Sequence, residues 1–272
     1  MNPFAHFILT RFNVPLGRDA ASGGAREPSG VEEAWLSRRF DLFERICLPS
    51  VARQTEGGFQ WLVFMDWATP VAFKERMAGL AVSHEFLRPI YASEYMEETV
   101  LAEIRRREEP GRIRITTRLD SDDAIHPGMI ERVQEKAREH GEPVHLKGGF
   151  RISFPLGCCV RDGDFYLVRE VLNPFPSLVS APECPRTVMG LAVDAAEERV
   201  PVFTRLGRPM WCQVLHGDNR RANVRGVYWP WGARSEFGAV IGPGVRRSIG
   251  WQCAEMVRSA WRTVRRGGGG AE

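Results

Sequence analysis

Three carboxylates within four residues, Asp120, Asp122 and Asp123, are the residues of this chain whose spacing most directly implies chemistry. They stand in the stretch RIRITTRLDSDDAIHPGMI, Arg112 to Ile130. Acids so close repel one another unless a cation lies among them, and oxygen-only ligands favour Mg²⁺ or Mn²⁺. Such an ion would in turn hold a diphosphate. The plainer reading is a solvated turn in which Asp123 caps the following helix. A calcium loop starting at Asp120 would place Glu131 at its twelfth position, but Ile125 occupies the site of the turn glycine and Ala124 replaces a ligand. An aspartyl phosphatase also wants DxD after a strand, yet its accompanying Ser/Thr and Lys are not evident.

The acids need elements to hold them. Ile113, Ile115, Thr117 and Leu119 alternate with Arg114, Thr116 and Arg118, the period of a half-buried strand that runs into Asp120. Pro127 suits the first position of a helix carrying Met129, Ile130, Val133 and Ala137 on one face. Upstream, His6–Thr10 reads as a buried first strand, leaving Thr10, Arg11 and Asn13 where an open α/β sheet binds its ligand. Ser29 and Glu32 form a capping box for a helix with Trp35, Leu36, Phe40, Phe43, Ile46 and Cys47 inward, with a kink or restart at Pro49. Phe59–Met65 is a continuous apolar strand of the central parallel kind, and it too ends on an acid, Asp66. Phe73–Ala81 and Glu94–Arg107 read as helices around a short strand at Pro89–Tyr91. Alternation of strand and helix to about residue 140 predicts a parallel, doubly wound sheet.

Bulk properties exclude several classes. A chain of 272 residues buries a full core. A net charge of +3 is too small to argue for nucleic acid, and no partner of that kind is expected. Apolar runs all fall short of the ~20 residues of a membrane span. Met1–Thr10 lacks the basic start and long apolar core of a signal peptide, so a cytoplasmic location is expected. The six cysteines have no CxxC spacing, which argues for reduced thiols rather than zinc. Gly23-Gly24 with Arg26 is a poor phosphate loop, being far from the first strand and without GK[ST] or GxGxxG.

The second half changes character. Val144–Ser153, Cys158–Arg161, Asp164–Val171, Val200–Phe203 and Trp211–Leu215 read as strands, and Asn173–Pro185, with four prolines, as a loop. Trp211–Leu215 runs into His216, Gly217, Asp218, Asn219, Arg220 and Arg221. The tail from Ser248 to Arg266 has helical spacing, with Ile249, Cys253, Met256, Ala260 and Val264 on one face and arginines on the other. The ordinary expectation is an apolar face packed on its own domain. Peripheral contact with anionic lipid at the inner membrane face is the alternative.

Leu48–Asp66 (LPSVARQTEGGFQWLVFMD) and Arg114–Glu131 (RITTRLDSDDAIHPGMIE) together resemble the helix, Gln-Thr turn, acid-ended strand and DxD strand of inverting GT-A glycosyltransferases. His6–Asn13 (HFILTRFN), the TRLDSDD run and Trp211–Asn219 (WCQVLHGDN) are similar to a bacterial family of rhamnosyltransferases. The resemblance implies an α/β fold with a GT-A-like, Rossmann-type, mostly parallel central sheet flanked by helices, and a mixed acceptor-side second half. It divides the chain into a nucleotide-sugar half (1–140), an acceptor half (141–245) and a basic tail (246–272). The implied partners are a nucleoside-diphosphate sugar, such as dTDP-rhamnose, and a glycan or other hydroxyl acceptor, with Mn²⁺ or Mg²⁺ as cofactor. Asp120, Asp122 and His216 would hold the metal, and Thr10, Arg11, Asn13, Asp66, Asp120 and Arg220 the donor. Inversion needs a general base, for which Asp194 and Glu183 are candidates. A metal-dependent phosphatase or nucleotidyltransferase, or a catalytically silent glycan- or partner-binding protein, are the rivals.

Overall fold

The computed structural model describes residues 2–16, 32–141, 149–191, 200–217, 223–230, 234–241 and 247–267. Four strands set the frame: β1 (Phe4–Arg11), β2 (Phe59–Asp66), β3 (Leu87–Ala92) and β4 (Ile113–Arg118). β1 lies between β2 and β4, and β3 flanks β2, all parallel. Strand β1 is apolar on both faces because both are covered. Phe4, Ile8 and Phe12 pack with Leu36 and Phe40 of α1 (Glu33–Leu42) and with Met129, Ile130 and Val133 of α5 (Met129–His140). Ala5, Phe7 and Leu9 pack with Val100 and Ile104 of α4 (Glu97–Arg105). This is the α/β architecture expected, with helices on both faces of a mostly parallel sheet.

The second half completes that sheet rather than standing apart. β9 (Ser177–Ser180) inserts antiparallel between β4 and β6 (Phe150–Ser153), and β10 (Val202–Thr204) pairs with β6, giving the order β10-β6-β9-β4-β1-β2-β3. A second sheet runs β12 (Val227–Tyr228), β8 (Asp164–Arg169), β7 (Leu156–Arg161), β11 (Trp211–Leu215), β5 (Ala124–Ile125). β9 corrects the loop expected over Asn173–Pro185. Its four residues are all buried, and the surrounding prolines fall outside the strand, where they cost no ladder bond.

Four helix expectations also change. α1 starts at Glu33 without a side-chain cap, and Ser29 lies outside the described residues. Pro49 does not break the helix: the turn before it, Phe43–Cys47, widens to π-type and α2 (Leu48–Ala52) continues. Widening absorbs the hydrogen bond that the proline cannot donate. α5 begins at Met129, not Pro127, because Ala124 and Ile125 are drawn into the second sheet. α3 (Val71–Ser83) and α6 (Arg234–Ile241) complete the layers, with Phe237 and Val240 of α6 under the second sheet. The largest correction concerns the C-terminal helix α7 (Ile249–Gly267). Of the face expected inward, Met256 packs on the core as expected, beside Trp251, Glu255 and Ser259, while Ile249, Cys253 and Val264 face outward.

His6 ties β1 to β4 through a 2.8 Å Nε2–Thr117 Oγ1 hydrogen bond, and burial pushes its pKa down to about 3. The unfolded chain binds that proton near pH ~6.5 whereas the folded one does not, so stability falls as pH drops from there toward 3. Thermal melts across that window should show wild type losing up to ~1.4 kcal/mol per pH unit relative to His6→Gln. Parallel profiles for the two proteins would refute a neutral buried imidazole.

Candidate functional site

Parallel pairing brings the ends of β1, β2 and β4 to one edge of the sheet, where Arg11–Asn13, Asp66–Trp67 and Asp120–Asp123 emerge side by side. Thr10 fixes the exit. Its hydroxyl donates to the Leu119 carbonyl at 2.7 Å and accepts the Trp61 indole N–H at 2.8 Å. Fully buried and with its hydroxyl so engaged, Thr10 shapes the edge but does not line it, which corrects its expected contact with the donor. The buried Asn13 is likewise a fastener, its Oδ1 accepting the Asp66 backbone N–H at 3.1 Å and its Nδ2 donating to Thr69 Oγ1 at 2.8 Å. Asp66 accepts the Ala68 N–H at 2.8 Å, and Arg11 donates to the Val14 carbonyl at 3.4 Å; both stay half-exposed at the edge.

The acid run is ordered by partners far away in sequence. Asp122 Oδ2 accepts Arg39 Nη1 of α1 at 3.0 Å and meets His216 Nε2, just past β11, at 2.8 Å. Asp120 is held by Arg118, at 3.2 and 3.3 Å to Oδ1. Asp123 Oδ1 accepts the Val214 N–H at 2.7 Å, and Cys212 and Trp211 pair with Ala124 and Ile125. These contacts clamp β11 along the acid run and deliver His216 to Asp122. Asp123 is thus a positioning residue rather than a helix cap.

Electrostatics separates the three acids. Burial, the largest influence on Asp122, works to raise its pKa, but the His216 hydrogen bond and the Arg39 charge outweigh it and the net shift is downward. Asp123 goes the other way. Burial first, then the charges of Asp122 and Asp120, push it well above the usual carboxylate range. The repulsion inferred from sequence is therefore relieved by two guanidinium groups and by one acid favouring its neutral form. Among the described residues, no group of three or more His, Cys, Asp or Glu side chains is drawn together as a cation requires. As arranged, Asp120, Asp122 and His216 do not fit a cation, because Arg118 and Arg39 hold the carboxylates.

Glu183 is exposed at the other end of the sheet, between Pro182 and Cys184, whose carbonyls bind Arg114 at the start of β4. It is not brought to the acid run. Asp194, Arg220 and Arg221 lie outside the described residues. Sequence reasoning missed Arg39, 83 residues from Asp122, for which no local signal exists. It also missed Trp67, 63% exposed beside Asp66 with Lys74 over its ring at 5.7 Å.

A cavity of about 390 Å³ opens on the second sheet, lined by Arg161, Asp164, Tyr166, Arg247, Trp251 and Glu255. Arg161 pairs in register with Leu215, the residue before His216, so the cavity lies across β11 from the acid run. Its charges are largely matched internally, Arg247 with Asp164 at 2.8 Å and Arg262 with Glu255 at 2.5 Å. A polar, charge-balanced hollow with aromatic walls suits a neutral, hydroxyl-rich ligand.

No curated protein sequence matches the chain. Among solved structures, that of S. aureus TarS 1–349 is 11% identical, with 77% of this chain and 60% of that one covered and a TM-score of 0.44. The same protein in complex with UDP-GlcNAc gives 10%, 81%, 62% and 0.45. The chain thus spans about three-fifths of the TarS fragment. The model of the family described as "Putative rhamnosyl transferase" matches residues 5–227, a span from β1 to the start of β12 that takes in the acid run, Arg39 and His216. The chain belongs to that family.

Proposed function

We propose that this enzyme transfers a sugar, rhamnose in the first instance, from a nucleoside-diphosphate donor to a glycan or other hydroxyl acceptor with inversion. The observation that carries the reading is the strand-end cluster of Asp120, Asp122, Arg39, Arg118 and His216, with a polar cavity across β11 from it. A departing diphosphate develops negative charge, which pre-placed guanidinium groups stabilise without reorganisation. Arg39 and Arg118 already stand at that edge with acids that orient them. The exposed Trp67 ring gives the nucleobase a stacking surface, and the cavity behind Arg161 takes the acceptor. Inversion needs a carboxylate to take the acceptor proton. With Glu183 at the far end of the sheet, Asp194 is the base we propose, and unchanged turnover in Asp194→Asn would remove it.

Because the acids are compensated by arginines, no step is routed through a metal. A Mn²⁺ or Mg²⁺ ion at Asp120, Asp122 and His216 is a separate proposal, supported by the sequence pattern, that requires Arg39 and Arg118 to leave the carboxylates. One experiment addresses both. Thermal shifts with a panel of dTDP-, UDP- and GDP-sugars, in Mn²⁺ and in EDTA, should single out one donor, dTDP-rhamnose first, at ~2.7 kcal/mol for a ligand at about 100 times its Kd. Trp67→Ala should reduce that shift. No response to any donor would overturn the reading, and equal shifts in Mn²⁺ and EDTA would end the cation proposal alone. Donor binding without turnover on any acceptor would favour a silent binding protein.

A further inference from the structure

The C-terminal helix packs Trp251 and Met256 inward yet turns a second apolar stripe outward. Ile249, Cys253, Val257, Trp261 and Val264 recur every three or four residues, so at 3.6 residues per turn they share one face. That face is open: Ile249 is 80%, Val257 59%, Trp261 63% and Val264 71% exposed. The inward side is mixed: Trp251 and Met256 pack against the core, and polar groups fix the rest. Ser259 Oγ accepts the Tyr228 N–H at 2.8 Å, and Glu255 takes the Tyr166 hydroxyl at 3.3 Å. A surface helix of a globular protein normally buries its apolar stripe, so this orientation calls for an occupant.

Charge decides which occupant. Glu255 is the sole acid of α7, and it is buried and bound by Arg258 at 3.0 Å and Arg262 at 2.5 Å. Those two arginines flank the Trp261 side of the stripe, and the sequence adds Arg265 and Arg266 in the final turn, so α7 carries four arginines to one acid. A second copy would bring an equally basic rim against this one and be repelled. Among the described residues, no helix is long and apolar enough to cross a membrane. An apolar face with a Trp and an arginine border is what a helix lying in the plane of an anionic bilayer requires, the arginine stems reaching along the apolar surface to lipid phosphates.

We propose that α7 is an interfacial anchor: Ile249, Val257, Trp261 and Val264 enter the acyl boundary of an anionic membrane, and Arg258 and Arg262 meet its headgroups. The same helix lines the cavity with Trp251 and Glu255 on its other side, so docking holds that cavity one helix diameter, ~10 Å, from the lipid surface. If the acceptor reading above holds, the acceptor is then one carried on a lipid; the docking itself does not rest on that reading.

The test uses the whole chain and vesicles of phosphatidylcholine alone or enriched in phosphatidylglycerol. Wild type should co-sediment with the enriched vesicles, less in high salt, and stay in solution with phosphatidylcholine. Val257→Glu with Trp261→Glu should lose binding by about tenfold or more while melting temperature and turnover on a water-soluble acceptor are retained. No wild-type binding, or equal binding by the double variant, overturns the proposal. A dimer in size exclusion that the double variant abolishes, without vesicle binding, would assign the face to a second copy instead. Failure of donor binding in the earlier panel would leave this result untouched.

Discussion

Asp122→Asn is expected to lower kcat/KM by on the order of 100-fold while leaving the protein folded. At Asp122 a first-half helix and the segment just past a second-half strand are hydrogen-bonded to the same atom, since Arg39 and His216 meet its Oδ2. Its carboxylate is almost fully buried, and its pKa moves down in spite of that burial, so it stays charged for both partners. Truncating one member of such a desolvated pair costs ~2–5 kcal/mol, and ~2.7 kcal/mol is a factor of about 100 in rate. Asparagine keeps the shape and the His216 contact but withdraws the charge that orients Arg39. Alanine should be worse because it releases both partners, whereas His216→Ala should lose less than either. Steady-state kinetics on the three variants, with melting curves as control, make the check. Near-normal kcat/KM for Asp122→Asn would place the reaction elsewhere.

Gly157→Ala should be among the most destabilising single changes, because its new Cβ would stand 2.0 Å from the Trp211 indole. Trp211 is fully buried and cannot swing away, since its Nε1 donates to the Phe154 carbonyl at 2.9 Å and it packs near Phe175. The methyl therefore forces β7 and β11 apart. Overpacking of this kind costs ~3 kcal/mol, which in a chain of this size lowers the melting temperature by roughly 10 °C. Trp211→Leu in the same chain should restore part of the loss, so the two changes are expected to be non-additive. Because β11 carries His216, activity should fall before the protein unfolds. A melting temperature within a degree or two of wild type would show that the indole has room the structure does not suggest.

How the acids are tolerated is where reading and geometry part most usefully. Carboxylates in a short run imply compensation, and that inference holds. Its agent cannot be read locally, because a cation and a guanidinium satisfy the same repulsion. Arg118 stands two residues from Asp120 and is at least nearby in sequence, but Arg39 becomes a neighbour of Asp122 only when α1 packs across β1.

What the sequence by itself determined is whatever depends on neighbours along the chain. The alternation at Ile113–Arg118, the apolar run at Phe59–Met65 and the Trp211–Leu215 strand all appear where their periodicity put them, and the parallel α/β frame follows from their order. Only the tertiary structure decided the rest. The short strand β9 is too brief and too flanked by prolines to announce itself, and it forms because β4 and β6 each leave an edge to be paired. The joining of β5 to β11 moved the start of α5 and set His216 on Asp122. The facing of α7 was equally undecidable beforehand: its periodicity defines two sides, and which one turns inward depends on Tyr166 and Tyr228, residues whose polar groups meet Glu255 and Ser259 only in the folded chain. Periodicity is a property of one segment, while partner choice is a property of two, and the second exists only once distant segments share a surface.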